Sequence, residues 1–300
     1  MKSKDQQARI LVGVDGSPAA QAAVEWAAEE ATRQQRPLHL VHGFGGPLSG
    51  PPVSLDSPDE GLVRSRVRSD AEQVLGEAVA RARSASPGLE VTTELVAGGA
   101  AAALLGEARG GAKMVVLGSR GMGGFRGLLV GSVSAEVASH APCPVVVVRP
   151  REEGAAEPSA TTGRVVVGMD GSDVSALAVE FAFETAARRG LGLTALRAWE
   201  LPAGSSPWLV TAASRMEDEE RQAVTDSLSR WQRQFPDVDA RPQVVNGHAA
   251  HALVTASAGA ELVVVGSRGR GGFAGLLLGS VSQTVLQHAS CPVAVVRPHG

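Results

Sequence analysis

The sequence contains no tyrosine, and aromatic residues of any kind make up only 3% of its 300 residues. This scarcity argues against the aromatic platforms on which single-stranded nucleic acids stack. Neither sign of charge is in large excess. The formal net charge is -3, and no long basic run is present. The sequence therefore predicts no nucleic-acid partner.

Long apolar runs are missing as well. No segment reaches the roughly 18 to 20 apolar residues that a membrane-spanning helix needs. The first residues carry charges but lack the apolar stretch and cleavage site of a signal peptide. We therefore expect no membrane association and a cytoplasmic location.

Cysteine is rare, and its two occurrences are related. Cys143 and Cys291 occupy the same place in two copies of the pattern C-P-V-x-V-V-R-P. A disulfide between them would require the two copies to touch at this point. Because cytosolic thiols are normally kept reduced, we favour small buried residues at a helix-to-strand corner over a disulfide.

What the sequence does contain is an internal repeat of domain size. Residues 118–150 and 266–298 align without a gap and differ at nine of 33 positions, and residues 9–31 match residues 164–186. Such long copies indicate duplication of a whole domain. The predicted organisation is a first domain at 1–150, a linker at 151–163 that is rich in charge, proline and glycine, and a second domain at 164–300.

Strand and helix patterns alternate within each copy. Short apolar runs rich in β-branched residues predict buried strands, and Ser17 followed by Pro18 predicts the start of the first helix. In the first copy the predicted strands are 9–14, 37–44, 89–96, 113–118 and 144–149, and the predicted helices after the first are 60–84, 100–110 and 132–140. This order predicts an α/β fold of two tandem doubly wound domains, each a five-stranded parallel sheet with helices on both faces.

A glycine-rich loop follows the fourth predicted strand of each copy. Its glycines recur at one spacing and end in Gly-Ser at a predicted helix start, at Gly118, Gly121, Gly131 and Ser132, and again at Gly266, Gly269, Gly279 and Ser280. Free amides of the loop and of the helix N-terminus predict an anion site suited to phosphates. The loop is neither a P-loop nor a dinucleotide fingerprint. The alternative is a tight turn that only packs under the sheet.

Three motifs together resemble the universal stress protein family. They are V-G-x-D-G-S near the start of each copy, G-x-x-G followed after nine residues by G-S, and C-P-V-x-V-V-R near the end. The resemblance covers nearly the whole chain as two tandem copies. It implies the adenine-nucleotide alpha-hydrolase-like fold. Because family members with the glycine motif bind ATP, it also implies one ATP per domain, with Mg²⁺ as an optional companion ion.

The resemblance also implies which residues contact the nucleotide. Adenine is expected near Val41 in copy one and Ala198 in copy two, and the triphosphate in the glycine loops. Asp15 is open to three roles, as a ribose hydroxyl acceptor, a magnesium ligand, or an acid that stabilises the following helix. The expected contacts in copy one are Gly13, Asp15, Val41, Gly118, Ser119, Arg120, Gly121, Met122, Gly123, Gly131, Ser132, Val133 and Ser134. In copy two they are Gly168, Asp170, Ala198, Gly266, Ser267, Arg268, Gly269, Arg270, Gly271, Gly279, Ser280, Val281 and Ser282.

The sequence predicts a binding protein and no catalytic residue. The glycine loops contain no acid or histidine that could serve as a base, and His140 and His288 are expected at helix carboxyl ends. His248 and His251 occur only in copy two and lack partners at metal-ligand spacing. We therefore predict a regulatory, ATP-binding stress protein with at most slow hydrolysis. The alternative is an ATP-dependent phosphotransferase or adenylating enzyme on a related α/β fold.

Two further expectations concern assembly and movement. The last strand of each copy is short and apolar, and such an edge needs a partner. The two copies are therefore predicted to form an internal pseudodimer through these strands, as the family resemblance also implies, and the chain is predicted to form a homodimer in turn. Residues 45–58 and 201–207, rich in glycine, proline and serine, are predicted to act as lids that become ordered when ATP binds, with the larger effect in copy one. The alternative is that they are passive loops.

Overall fold

The structure, a computed structural model, describes residues 8–45, 60–122, 129–150, 159–200, 207–269 and 277–298. The chain divides into two units, residues 1–150 and 151–300. Residues 46–58 and 201–206 of the predicted lids lie outside the described residues, as do residues 151–158 of the predicted linker. Each unit is described by itself below.

The first unit alternates strands and helices throughout its described residues. Its elements are β1 (Ile10–Gly13), α1 (Pro18–Arg33), β2 (Leu38–Gly45), α2 (Glu60–Ala85), β3 (Val91–Gly98), α3 (Ala100–Arg109), β4 (Met114–Gly118), α4 (Ser132–His140) and β5 (Val145–Val148). The strands are parallel in the order β3-β2-β1-β4-β5. The chain continues from β1 to β2 and β3 on one side of β1, and then adds β4 and β5 on its other side. The switch point of the sheet therefore lies between β1 and β4. Ligands of α/β sheets bind outside the carboxyl ends of the strands at such a point.

The second unit repeats this arrangement. Its elements are β6 (Arg164–Gly168), α5 (Asp173–Arg189), β7 (Gly192–Trp199), α6 (Pro207–Gln234), β8 (Ala240–Asn246), α7 (Ala249–Ala256), β9 (Leu262–Gly266), α8 (Ser280–His288) and β10 (Val293–Val296). The parallel order within the unit is β8-β7-β6-β9-β10. The predicted fold class, two tandem doubly wound α/β domains with five parallel strands each, is confirmed.

Burial explains why the central strands read as continuous apolar runs. Every residue of β4 and β5 is buried, and the first three residues of β1 are fully buried. Strands that are covered by helices on both faces require apolar side chains at every position. The start of α1 is also as predicted, because Ser17 Oγ accepts a hydrogen bond from the Ala20 N–H at 3.2 Å and Pro18 follows it.

Helix α2 buries small residues where the sequence pattern suggested larger ones. The apolar residues of this segment predict an inner face made of Leu62, Val67, Val74, Leu75 and Val79. Among the side chains that the structure describes, the buried residues of this helix are Ala71, Leu75, Ala78 and Ala82, and the described valines on it are half-buried. Leu75 is buried as predicted, whereas the three alanines, seven and four residues apart, let this helix pack closely and were missed by a pattern based on larger apolar residues.

The two cysteines are packing residues. Cys143 and Cys291 are both buried and both free. Burial raises the pKa of the Cys143 thiol to about 12. The disulfide is therefore not formed. None of the described helices has the length and apolar character that crossing a membrane would require.

Candidate functional site

The turn after β1 and the loop after β4 are tied together by one carboxylate. Asp15 Oδ1 accepts a hydrogen bond from the Ser17 N–H at 3.0 Å, and its Oδ2 accepts one from the Met122 N–H at 2.9 Å. The Ser17 hydroxyl donates to the Arg120 carbonyl at 3.2 Å. The D-G-S turn and the glycine loop, which are both expected to contact one nucleotide, therefore meet in unit 1.

Unit 2 places its aspartate in the same way. Asp170 Oδ1 accepts hydrogen bonds from the N–H and the hydroxyl of Ser172, at 2.9 and 2.7 Å. Its Oδ2 lies so close to Gly269 that a Cβ there would overlap it. In both units the aspartate accepts a hydrogen bond from the N-cap serine of the following helix, and in unit 1 it also anchors the loop. Each oxygen of a carboxylate can accept two bonds, and from the described residues Asp15 receives one at each oxygen.

Two of the motif glycines lack a side chain because other atoms of the protein lie directly against them. A Cβ on Gly118 would lie 2.5 Å from the Ala19 carbonyl carbon, and one on Gly121 would lie 2.5 Å from Asp15 Oδ2. Neither has a positive φ, whereas Gly16 in the preceding turn has a φ of 83°. The alternative interpretation, close packing under the sheet, thus accounts for Gly118.

The third motif glycine is not required by any such contact. A Cβ on Gly131 would have its nearest neighbours at 3.6 Å, and one on Gly279 at 3.5 Å, which is ordinary van der Waals contact. These glycines are the N-caps of α4 and α8, and neither helix has a side-chain cap. The first amides of both helices are therefore left without a capping side chain at the crevice, as an anion site needs.

The loop serines divide into two groups. Ser132 and Ser280 are exposed at the helix starts, and Val133 and Val281 beside them are half-buried. Ser134 is buried and donates its hydroxyl to the Gly118 carbonyl at 2.7 Å, and Ser282 donates to the Ser267 carbonyl at 3.1 Å. These two hydroxyls are already used, so only the backbone amides of Ser134 and Ser282 remain for a phosphate.

The remaining loop residues have the following positions. Ser119 and Ser267 are buried at the ends of β4 and β9, whereas Arg120 and Arg268 are exposed. Gly123, Arg270 and Gly271 lie outside the described residues.

A cavity of about 560 Å³ occupies the crevice of unit 2. Its lining has an apolar side along the strands and α7 and a polar side at the loop and the start of α8. Predicted residues in the lining are Gly168, Asp170, Ala198, Gly266, Arg268, Gly269, Gly279, Ser280, Val281 and Ser282. Residues that the sequence analysis missed are Met169, Ser175, Leu196, Ala249, Leu253 and Val265.

The structural counterpart of Val41 is Leu196. The Val14 N–H donates to the Val41 carbonyl at 3.0 Å, and the Met169 N–H donates to the Leu196 carbonyl at 2.9 Å. Ala198 lies two residues further along β7 and also lines the cavity. The offset of 155 residues between the matching segments 9–31 and 164–186 relates Val41 to Leu196. Applied to the second strand of each unit, this offset is the sequence signal that identifies Leu196.

The floors of the two crevices differ in size. A Cβ on Gly13 would lie 2.5 Å from Leu117 Cδ2 in unit 1. In unit 2, a Cβ on Gly168 would lie 3.7 Å from Val265 Cγ1. Leu117 thus fills space at the end of β4 that the shorter Val265 leaves open at the end of β9.

This sheet order, with a loop-lined crevice at its switch point, defines each unit as an α/β domain of the adenine-nucleotide alpha-hydrolase-like class. The chain belongs to the universal stress protein family, because the model of that family matches residues 8–149 and 161–297.

Relatives of the same length support this assignment. The chain is 38% identical over 292 residues to a universal stress protein of Mycolicibacterium smegmatis, covering 96% of this chain and 97% of that protein. It is also 38% identical over 305 residues to one of Mycobacterium tuberculosis, covering 99% of each. A universal stress protein of Archaeoglobus fulgidus has the same fold in its crystal structure, with a TM-score of 0.65, 19% identity and 99% coverage of both chains.

Proposed function

We propose that the protein is a cytoplasmic ATP-binding universal stress protein that holds one nucleotide in each unit and acts by binding rather than by catalysis. The observation that carries this proposal is the two-sided cavity of unit 2. Its volume lies within the range of small-molecule sites, and it joins an apolar wall to an uncapped helix N-terminus.

The lining matches the parts of an adenine nucleotide. Leu196, Ala198 and Leu253 offer an apolar wall for the base. The amides at the start of α8 suit the phosphates, and the exposed Arg268 adds a positive charge beside them. Mg²⁺ bound to a nucleotide keeps most of its ligands from phosphates and water, and Asp170 is a carboxylate in the lining that is able to complete them.

The same lining supports binding over turnover. Among the described residues that line the cavity, Asp170 is an acid that already accepts two hydrogen bonds, and there is no histidine. Phosphoryl transfer needs a residue that positions the nucleophile and a cation at the transferred group. A turnover above about one ATP per second would favour the alternative, a phosphotransferase or an adenylating enzyme.

Substitution of Gly279 by alanine tests the proposal without disturbing the fold. The added Cβ meets protein atoms only at ordinary contact distance but enters the lining of the cavity. We expect calorimetric titration of nucleotide-stripped protein to give two ATP sites for the wild type and one for Gly279→Ala. The midpoint of thermal unfolding should fall by no more than about 2 to 4 °C, because alanine is a weaker N-cap than glycine.

The matched control is Gly106→Ala, on the exposed side of α3, where an added Cβ meets nothing within 4 Å. It should keep both sites. Gly269→Val should also remove one site, because its side chain displaces Asp170. Absence of ATP binding by the stripped wild type, or two intact sites in Gly279→Ala, would contradict the proposal.

A further inference from the structure

A second polar cluster lies in unit 1, apart from the glycine loop. His39 near the start of β2, Glu94 on β3 and Glu107 on α3 converge beneath the helix. His39 Nε2 lies 3.3 Å from Glu94 Oε2 and 3.8 Å from Glu107 Oε2. One nitrogen or oxygen atom from each residue lies within 4.8 Å of the others, close enough for all three to reach one ion.

The imidazole is held in the orientation that a ligand needs. His39 is 4% exposed, and its Nδ1 lies 2.7 Å from Thr92 Oγ1, its partner in the register of β2 and β3. A hydrogen bond at one ring nitrogen fixes the direction in which the other nitrogen points. Nε2 is thereby directed at the two carboxylates.

The charged side chains around the His39 ring carry a net negative charge. The two carboxylates face one guanidinium, that of Arg9, which forms an ion pair with Glu107. An imidazole nitrogen beside a net negative charge suits a cation, and Arg9 supports the Glu107 carboxylate as a hydrogen-bonded outer partner.

We propose that His39, Glu94 and Glu107 form a binding site for a divalent transition-metal ion, with Zn²⁺ as its representative. One imidazole nitrogen with two carboxylate oxygens is a donor set that zinc accepts, leaving a fourth position for water. Mg²⁺ and Ca²⁺ prefer oxygen donors alone. The side chain of Glu94 is 44% exposed, which gives an ion access from solvent.

Unit 2 is a natural comparison, because other residues stand at the positions of the three proposed ligands. The register of β7 with β8 places Thr194 where β2 has His39, and Gln243 where β3 has Glu94. Ala256 stands on α7 at the position of Glu107, counted from the positive-φ glycines Gly98 and Gly247 before the two helices. The site therefore predicts one ion per chain.

Titration of the full-length protein with ZnCl₂ tests this site. The variants Glu94→Gln and His39→Thr introduce the residues that unit 2 uses at these positions, so both are compatible with the fold. The control is His248→Ala, which removes an exposed histidine 2.5 Å from a Glu200 carboxylate oxygen.

We expect one Zn²⁺ per chain in the wild type and in His248→Ala, measured by calorimetry and by metal analysis after desalting. Loss of an outer partner alone weakens metal binding about 10- to 100-fold, so loss of a ligand should weaken it at least about tenfold. A wild type that retains no zinc, or a Glu94→Gln variant with wild-type stoichiometry and affinity, would overturn the site. Nucleotide binding is a separate readout in the same samples and should not change.

Discussion

At the scale of single residues, the two crevices differ at the end of the fourth strand of each unit. Leu117 reaches the space beside Gly13, whereas Val265 stops short of the space beside Gly168. Under the proposed function, this space adjoins the apolar side of the site. One methylene in an apolar pocket changes ligand binding by about 1 kcal/mol or more.

Exchanging these two side chains should therefore exchange the affinities of the units. Leu117→Val should strengthen ATP binding in unit 1, and Val265→Leu should weaken it in unit 2, each by about five- to tenfold. Titration calorimetry in the Gly279→Ala background isolates unit 1, and Gly121→Val isolates unit 2. Unchanged affinities in both variants would show that the floor of the crevice does not contact the ligand.

The sequence predicted which motifs lie at the strand ends, because that depends on the order of elements along the chain. It did not predict individual contacts, because these depend on the three-dimensional arrangement of loops and side chains. The position of Asp15 and the glycine loop at strand ends predicted that they would meet. The bond from the Met122 N–H to Asp15 and the buried hydroxyl of Ser134 are not visible in the spacing, because they depend on how the loop folds back. The cluster around His39 was missed because its members lie on three different elements.

At the scale of elements, sequence patterns located helices better than they defined helix faces. The helix Ser132–His140 agrees with its prediction at both ends, because Gly131 before it and Ala141 after it have extended backbone. The buried face of α2 was predicted only in part: Leu75 is buried as expected, but the buried alanines were missed because alanine contributes little to an apolar pattern although it packs closely. Strand ends shifted by one or two residues, since a strand ends where pairing ends and not where apolar character does.

Helix α2 also contains a glycine that its surroundings do not require. Gly76 is exposed in mid-helix, and a Cβ there would meet nothing within 4 Å. Gly76→Ala should raise the free energy of unfolding by about 0.5 to 1 kcal/mol, because alanine loses less backbone entropy. Urea denaturation followed by circular dichroism measures this change.

The matched substitution is that of Gly88, in the loop that follows the same helix. Gly88 also has open space around it, but its φ is 86°. Gly88→Ala should lower the free energy of unfolding, because an L side chain is strained at this φ. Equal effects of the two substitutions would show that local backbone conformation does not determine them.

At the scale of the whole molecule, the repeat predicted two domains of one architecture, and both are present. The predicted pairing of their last strands stays a prediction. It has a physical basis within unit 1, where β5 comes last in that unit's own strand order and consists of four buried valines. An apolar strand edge of this kind favours pairing with another edge.

Isolated residues 1–155 test this pairing. Without the second copy, the edge of β5 should pair with itself, so light scattering coupled to size exclusion should show a dimer or larger species. A soluble monomer at micromolar concentration would contradict the prediction. The full chain measured alongside reports whether the protein also forms the predicted homodimer.

The difference between Leu117 and Val265 has a consequence for how the whole chain would respond to its ligand. Under the proposed function, two equal sites would fill together over one narrow interval of ATP concentration. Two sites whose floors differ by one carbon fill over a wider interval, and in most singly occupied chains the ligand then lies in unit 2 instead of being shared equally between the units. Duplication followed by this small change gives one polypeptide a preferred order of filling, and with it a response spread over a wider concentration range.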